Sequence, residues 1–247
     1  MITCSNVNFS YETGRPVLQD LSFTIRDGEC VGLIGANGAG KSTVMKLILG
    51  LIPCTQGEIR VDDIPVAKDT LKEIRRRLGF VLQNSDNQMF MPTVYEDMIF
   101  GPLNYGVSKE ETEKRVDAVL EKLGLQELKH RHNHKISGGE KRMAAIATIL
   151  AMEPEMILMD EPTAALDPYN RRIVINTIRE LPQTKLITSH DLDMILDTCS
   201  RVILLSGGKI AADGPAQEIL RNKELLEAHR MELPFCLAGC GFQTVGV

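Results

Sequence analysis

Residues 35–43 (GANGAGKST) constrain this chain more than any other segment. They match the phosphate-binding pattern G-x-x-x-x-G-K-[ST] at every fixed position. Glycines allow a tight turn whose backbone N–H groups point at phosphate oxygens, the lysine adds charge at the β- and γ-phosphates, and the next hydroxyl can ligate Mg²⁺. The pattern predicts a nucleotide site made of Gly35, Ala36, Asn37, Gly38, Ala39, Gly40, Lys41, Ser42 and Thr43.

The flanking residues supply the strand and helix that such a loop requires. Residues 30–34 are a short apolar run typical of a buried strand, and residues 43–49 are typical of a helix. The positive N-terminal end of that helix would face the bound anion. The loop alone indicates a nucleotide and does not say what the nucleotide does.

Composition and charge limit the partners. The chain has 247 residues, of which 43% are hydrophobic and 25% charged, as in an ordinary soluble globular protein. Its net charge of −5 argues against nucleic acid held by bulk electrostatics. No apolar stretch approaches the roughly 20 residues that span a bilayer, and the first residues are not typical of a signal peptide. We therefore expect a cytosolic protein that reaches any membrane through a partner.

Periodic patterns predict an α/β fold. Alternating apolar residues between 2 and 25 indicate antiparallel strands, and apolar runs at 156–160, 185–188 and 201–205 indicate a buried parallel sheet. Residues 93–100, 109–123 and 138–152 are typical of helices. We expect a P-loop NTPase core with a mainly parallel sheet, an antiparallel β subdomain and a helical insertion. The predicted division is a core of residues 1–83 and 154–222, a helical subdomain of residues 84–153 and an extension of residues 223–247.

Two acids follow the apolar run at 156–160. Asp160 ends this predicted strand and Glu161 comes next. Because ligands bind at the carboxyl ends of parallel strands, we expect Asp160 to hold Mg²⁺ and Glu161 to act as the general base on the attacking water.

Further motifs resemble those of the ATP-binding-cassette family, in the family's order along residues 2–222. Residues 136–140 (ISGGE), here called the signature turn, resemble the family signature L-S-G-G-Q. Glu140 replaces the glutamine, and its negative charge argues against a direct nucleotide contact. The other matching residues are Tyr11, where the family stacks an aromatic on adenine, Gln83 of the Q-loop, Asp167 of the D-loop and the switch histidine His190.

The resemblance implies a shared site. In this family Ser137 and the backbone of Gly138 and Gly139 cap the γ-phosphate bound to the opposite subunit. Two chains arranged head to tail would then hold two ATP molecules, and complete motifs in one chain allow a homodimer, with a heterodimer left open. By the same resemblance Gln83 and Ser42 contact Mg²⁺ and His190 contacts the γ-phosphate. Asp167 would communicate between the two sites.

Residues 83–102 resemble the ATPases of energy-coupling-factor importers, especially their cobalt and nickel members. The resemblance implies an ATPase subunit bound peripherally at the cytoplasmic face of the cell membrane, with integral-membrane transport subunits as partners. We expect Met89, Phe90 and Met91 to form an adaptable apolar groove for a partner's coupling helix. The alternative is a core segment that joins two subdomains. A vitamin importer of the same type, or another transporter of the wider family, stays open.

Two groups of residues admit a metal-site interpretation. His130, His132 and His134 lie on one face of an extended segment and suit Ni²⁺ or Co²⁺, although a polar loop explains them more simply. Cys236 and Cys240 have the spacing of half a metal site without a second half, so ordinary reduced thiols are the better interpretation.

Other ATPase classes fit less well. A chromosome-maintenance ATPase needs a long coiled coil between the loop and the signature turn, and no sustained heptads occur there. A translation-associated protein of the cassette type would carry two cassettes and a basic linker. A kinase or GTPase leaves Ser137, Gly138 and Gly139 unexplained.

Overall fold

The computed structural model describes residues 1–12 and 14–238, which form two β-sheets and surrounding helices. In these residues the strands are β1 (Ile2–Ser10), β2 (Pro16–Ile25), β3 (Cys30–Ile34), β4 (Gln56–Val61), β5 (Ile64–Pro65), β6 (Leu78–Val81), β7 (Met156–Asp160), β8 (Thr184–Thr188), β9 (Arg201–Ser206) and β10 (Lys209–Pro215). The helices are α1 (Lys41–Ile48), α2 (Leu71–Arg77), α3 (Val94–Asn104), α4 (Lys109–Leu123), α5 (Gly138–Leu150), α6 (Pro168–Glu180), α7 (Leu192–Thr198), α8 (Ala216–Ile219) and α9 (Lys223–Ala228). The predicted α/β class is confirmed.

The smaller sheet is the predicted antiparallel subdomain. Its strands lie in the order β2-β1-β4-β5, and Ile2 pairs with Ile25 on one side and Val61 on the other. Buried and more exposed residues alternate along much of β1, as a sheet with one buried face requires. Because β1 ends at Ser10, this sheet delivers Tyr11 to the edge of the nucleotide loop.

The larger sheet has the order β10-β9-β3-β8-β7-β6. Its strands are parallel except for β10, which pairs antiparallel with β9 at the edge. The strands β3, β7 and β8 are buried along nearly their whole length, which explains the apolar runs of β3 and β7, whereas β8 also buries Lys185 and two threonines. The carboxyl ends of parallel strands meet at one edge of a sheet, so this edge collects the polar residues that follow them.

The predicted helical insertion consists of α3, α4 and α5. A cluster of apolar side chains lies between these helices, separate from the two clusters that pack on the sheets. A capping box of Thr93 and Glu96 fixes the start of α3. This helix continues four residues beyond the predicted end, although Pro102 lies inside it. The buried members of the cluster between α3, α4 and α5 include Val94, Met98, Val116, Leu120, Ala144, Ala145 and Ala147.

The elements β10, α8 and α9 were not predicted. Residues of β10 are half-buried or exposed, and α8 and α9 have only four and six residues, so none produces a clear periodic pattern. The domain boundaries stay a prediction, and residues 239–247 of the proposed extension lie outside the described part of the chain. Within the described part, no helix has both the length and the apolar character needed to cross a membrane.

Candidate functional site

The loop of residues 35–43 joins the buried strand β3 to the first turn of α1. Gly35, Gly38 and Gly40 have φ angles of 149°, 78° and 108°, which residues with a Cβ rarely adopt. A Cβ on Gly35 would also lie 2.2 Å from the carbonyl oxygen of Leu205. The backbone conformation therefore requires the glycines at these positions.

Lys41 is held inside this loop. Its side chain is buried, and Nζ donates to the carbonyl oxygens of Gly35 at 2.6 Å and Ala36 at 3.3 Å. Burial lowers the pKa of Lys41, and the carboxylates of Glu161 and Asp160 oppose this shift. The ammonium group thus lies between the loop and the two acids that follow β7.

The fold brings two candidate oxygen ligands, Asp160 and Ser42, together. Ser42 Oγ donates to Asp160 Oδ2 at 3.5 Å, and Thr188 Oγ1 donates to Asp160 Oδ1. Carboxylate and hydroxyl oxygens suit Mg²⁺, which is a hard cation. The donor set that the fold brings together therefore fits the predicted metal.

Glu161 has a strained backbone and a fixed carboxylate. Its φ of 49° is uncommon for a residue other than glycine and is typical of functional sites. Oε2 accepts from the backbone N–H of His190 at 3.0 Å and from Ser189 Oγ at 3.2 Å, while Oε1 lies 3.6 Å from His190 Nε2. Glu161 is almost fully buried and the imidazole of His190 is half-exposed, so the pair can orient and deprotonate a water molecule.

A cavity of about 640 Å³ unites most of the predicted residues. The hydroxyl of Tyr11 lies 3.3 Å from Thr43 Oγ1, and its ring packs edge-on against Phe9. Tyr11 is 56% exposed, which leaves ring surface free to stack on a base. The cavity is lined by Tyr11, Asn37, Gly38, Ala39, Gly40, Lys41, Ser42, Thr43, Gln83, Asp160, Glu161 and His190, together with Val17.

The signature turn does not line this cavity. Ser137 caps α5: its hydroxyl accepts from the backbone N–H of Glu140, and the Glu140 carboxylate accepts from the backbone N–H of Ser137. These hydrogen bonds lower the pKa of Glu140. The carboxylate is therefore engaged in the capping box, which accounts for an acid at this position. Gly138 is exposed to solvent.

The helix α6, which follows the predicted D-loop, packs against the signature turn within the same chain. Asp167 caps α6 by accepting from the backbone N–H groups of Asn170 at 3.0 Å and Tyr169 at 2.9 Å, and bonds from Asn170 lower the pKa of Asp167. A Cβ on Gly139 would lie 2.1 Å from Cγ of Asn170. Gly139 is therefore needed for this close approach, which joins the two motifs.

An ion pair beside His190 was missed from the sequence. Arg171 on α6 donates to both carboxylate oxygens of Asp191, at 2.5 and 2.7 Å. Asp191 also accepts from the backbone N–H of Met194 and so caps α7. The sequence showed only an aspartate before a predicted helix. It did not show the ion pair, because the partners lie on two helices separated by β8. The pair anchors the residue that follows His190.

The prediction that Met89 lines an exposed apolar groove with Phe90 and Met91 is wrong. This side chain is buried in the helical cluster, whereas Phe90 is 62% exposed and Met91 is half-buried. The rings of Phe90 and Phe100 pack edge to face with centroids 5.0 Å apart. The large exposed apolar side chains in this region are Phe90, which precedes α3, and Phe100 and Leu103 on α3. These three residues are here called the apolar surface of α3.

The metal-site interpretations gain no support from the described residues. His130 packs against the ring of Tyr95, and the rings of His132 and His134 lie 5.4 Å apart. In residues 1–12 and 14–238, no group of three or more His, Cys, Asp or Glu side chains is arranged to hold a metal ion. Cys236 is exposed, and Cys240 lies outside the described residues.

A glycine-rich strand–loop–helix cradle, with acids and a histidine at the carboxyl edge of a parallel sheet, defines a P-loop ATPase. The family model described as ABC transporter matches residues 18–164, more than half of the chain. This chain belongs to the ATP-binding proteins of ABC transporters, a family of ATPases coupled to transport that bind ATP and ADP.

Relatives and solved structures agree with this assignment. A putative ABC transporter ATP-binding protein of Geobacter sulfurreducens is 47% identical over 93% of this chain and 92% of its own length. The energy-coupling factor transporter ATP-binding protein EcfA of Methanothermobacter thermautotrophicus is 41% identical over 95% of this chain and 77% of its own. The structure of cbiO1 from Clostridium perfringens, described as part of the ABC transporter complex cbiONQ, superposes with a TM-score of 0.83 at 32% identity, covering 92% and 93% of the two chains.

Replacing Asp191 by Asn should lower the free energy of unfolding by about 1–3 kcal/mol, because the carboxylate of a partly buried ion pair is lost while an asparagine still caps α7. Burial raises the pKa of Asp191, but the hydrogen bonds and charge of Arg171 outweigh it and hold that pKa below 3.8. This stabilisation is present above the unfolded pKa and is lost as the pH falls through the folded one. The cost, measured by urea denaturation, should therefore be equal at about pH 8 and about pH 5.

The matched control is Asp197→Asn on the same helix. Asp197 pairs with the exposed Arg172 at 3.1 Å, and such exposed pairs contribute about 0–1 kcal/mol. A cost at Asp191 no larger than the cost at Asp197 would contradict the stabilising role of the Arg171 pair.

Proposed function

We propose that this chain is the ATP-hydrolysing subunit of a membrane importer of the energy-coupling-factor type, driven by ATP-dependent pairing of two copies. One observation carries the proposal. The phosphate loop, Glu161 and His190 share one cavity, whereas Ser137 and its turn lie apart from them on the same chain. Relatives named as energy-coupling factor transporter ATP-binding proteins support the energy-coupling-factor type.

The cavity fits ATP with Mg²⁺. Backbone N–H groups of residues 35–43 and the Lys41 ammonium would hold the phosphates, and Tyr11 would stack on the base. Ser42, Asp160 and Gln83 offer oxygen ligands to Mg²⁺, which neutralises phosphate charge when bound. Burial of Lys41 strengthens its attraction for an anion, because the local dielectric constant is lower than in water.

Glu161 is the proposed general base. Its carboxylate, held by the backbone N–H of His190 and the hydroxyl of Ser189, accepts the proton of the attacking water. His190, half-exposed at the cavity wall, would contact the γ-phosphate, and its Nε2 lies 3.6 Å from Glu161 Oε1. Buried Glu161 thus acts on a water molecule that the imidazole helps to position.

The second wall of each site would come from another copy. Ser137, Gly138 and Gly139 begin the 13-residue helix α5, and the N-terminus of a helix attracts anions. Placed over the γ-phosphate of an opposing subunit, they complete a site that one chain leaves open. Solved dimeric ATP-binding cassettes at 30% identity support two copies, and the complete motifs of this chain favour a homodimer over a heterodimer.

The apolar surface of α3 is the proposed docking site for the coupling helices of integral-membrane subunits. Phe90 and Phe100 present an exposed aromatic pair close to the segment that carries Gln83. Docking there would place the chain peripherally at the cytoplasmic face of the membrane. The description of cbiO1 as part of a transporter complex supports such an assembly.

The transported solute is proposed from resemblance. The resemblance of residues 83–102 to the ATPases of cobalt and nickel importers favours cobalt or nickel. Vitamins, carried by other importers of this type, are the alternative, followed by the solutes of other ABC transporters. These solutes are distinguished by measuring uptake of cobalt, nickel and vitamins by cells that carry only the Glu161→Gln chain. The transported solute is the one whose uptake falls.

Glu161→Gln should retain ATP binding, lower the hydrolysis rate by at least about a hundredfold because the general base is lost, and trap an ATP-bound dimer. Light scattering at saturating ATP measures the mass. A variant that stays monomeric under these conditions contradicts head-to-tail pairing.

Lys41→Ala in the Glu161→Gln background is the matched control. Loss of the ammonium should abolish tight triphosphate binding and therefore the dimer, because the ATP that bridges the two chains is missing. Unchanged ATP affinity, measured by fluorescence of a labelled nucleotide, would refute the role given to Lys41.

Phe90→Ser combined with Phe100→Ser should reduce the membrane-bound fraction of the chain in its own cells about tenfold, since aromatic anchors dominate such interfaces. ATP hydrolysis by the isolated chain should not change. Leu51→Ser is the control, because Leu51 is 55% exposed and lies outside the apolar surface of α3. An unchanged membrane-bound fraction would rule out this docking site.

A further inference from the structure

Arg142 on α5 is a buried arginine without a carboxylate partner among the described residues. It is 4% exposed, and burial alone lowers the pKa of its guanidinium. Its Nε also has no hydrogen-bond partner within the described part of the chain. Burying a charge in this way is unfavourable unless other contacts compensate. The groups that Arg142 does contact therefore indicate why it is there.

Both terminal nitrogens of Arg142 donate to consecutive backbone carbonyls. Nη1 donates to Leu82 at 2.6 Å, and Nη2 donates to Gln83. These carbonyls come directly after β6 and lie on either side of the backbone N–H of Gln83, whose side chain lines the nucleotide cavity. A planar guanidinium holds two acceptors at a fixed spacing, which an ammonium cannot do. Arg142 thus fixes the backbone of Gln83 relative to α5.

Other contacts attach the same segment, residues 82–88, to α5. Lys141 pairs with Asp86, and Gln88 Nε2 donates to the carbonyl of Ala145 at 2.7 Å and to Thr148 Oγ1 at 3.1 Å. Gln88 Oε1 in turn accepts from the backbone N–H of Leu82 at 3.0 Å. The Gln83 segment is therefore bound to one helix over its length, and Arg142 makes the contact at Gln83 itself.

The same helix begins at the signature turn. Ser137 caps α5, and Arg142 lies little more than one turn further along. Under the proposed function, Gln83 serves the site built on its own phosphate loop, whereas Ser137 serves the site of the opposite subunit. A rigid link between Ser137 and Gln83 within one chain would therefore connect the two ATP sites of a dimer.

We propose that Arg142 is a positioning residue that makes the signature turn and Gln83 move as one unit, so that closure of one ATP site sets Gln83 in the other. The proposal rests on the proposed function, because it requires two shared sites. Arg142 itself contacts neither nucleotide nor metal in this account. Its effect is on the rate and on the cooperativity of hydrolysis.

Arg142→Lys is the test, since it keeps the positive charge and loses the fork. ATP affinity of the monomer should stay within about twofold, because the phosphate loop is untouched. The kcat should fall at least about tenfold, and the Hill coefficient for ATP should fall from about 2 towards about 1. Arg142→Gln, which removes the buried charge and keeps an NH₂ donor, is a second variant with the same expected losses if Arg142→Lys does not fold.

Arg75→Lys is the matched control. Arg75 also donates to two consecutive carbonyls, from Nε to Leu49 at 3.2 Å and from Nη2 to Gly50 at 3.0 Å, at the far end of α1, but its side chain is exposed. This variant should keep the wild-type kcat and Hill coefficient. An effect common to any lost arginine contact with backbone carbonyls would appear in both variants, whereas lost positioning of Gln83 affects only those at Arg142.

The outcomes separate this inference from the proposed function. If the wild-type chain hydrolyses ATP cooperatively and pairs, and the Arg142 variants keep its kcat and Hill coefficient, the coupling role is overturned and the proposed function stands. Equal losses in the Arg75 and Arg142 variants also overturn it. A wild-type chain that does not pair with ATP overturns the proposed function, and the coupling with it.

Discussion

The convergence of β3, β7 and β8 at one sheet edge is the constraint on which the site depends. These strands are buried along nearly their whole length, so the polar side chains that can reach a ligand lie where the strands end. Hydrogen bonds continue past those ends: the backbone N–H of Glu161 donates to the carbonyl of Thr188 at 3.0 Å, and the hydroxyl of Thr188 donates to Asp160. Two segments remote in sequence are thereby joined, and the phosphate loop follows the strand beside them.

The helical subdomain places the remaining machinery elsewhere. The capping box of Ser137 and Glu140 begins α5, and Gly139 packs on Asn170 of α6, so the signature turn is held at the surface of the same chain. Under the proposed function this short helix-start motif is half of a site that the opposite subunit completes. Under the proposed function the phosphate loop and the signature turn of one chain serve different nucleotides, so hydrolysis requires pairing. The apolar surface of α3 would then report pairing to a membrane partner.

Local patterns predicted the parts of this structure that short segments determine. The phosphate loop, the apolar strands β3 and β7 and the start of α5 each have their cause within a few residues, such as a positive φ or a cap. Contacts between distant segments were beyond such patterns. The burial of Met89, the Arg171–Asp191 pair and the bonds from Arg142 to residues 82 and 83 depend on how helices pack, which no period of apolar residues encodes. The roles of the site residues stay predictions that the shared cavity supports.

Mixing two inactive chains tests the shared site most directly. A Glu161→Gln chain keeps its signature turn, and a Ser137→Arg chain keeps its phosphate loop and its base. In a mixed dimer these intact parts meet in one site, and the two changed residues meet in the other. Equal amounts combined before ATP is added should hydrolyse ATP faster than either variant alone. If the signature turn acted only on the nucleotide of its own chain, the mixture would show no more than the mean of the two separate rates, and that result would contradict the account.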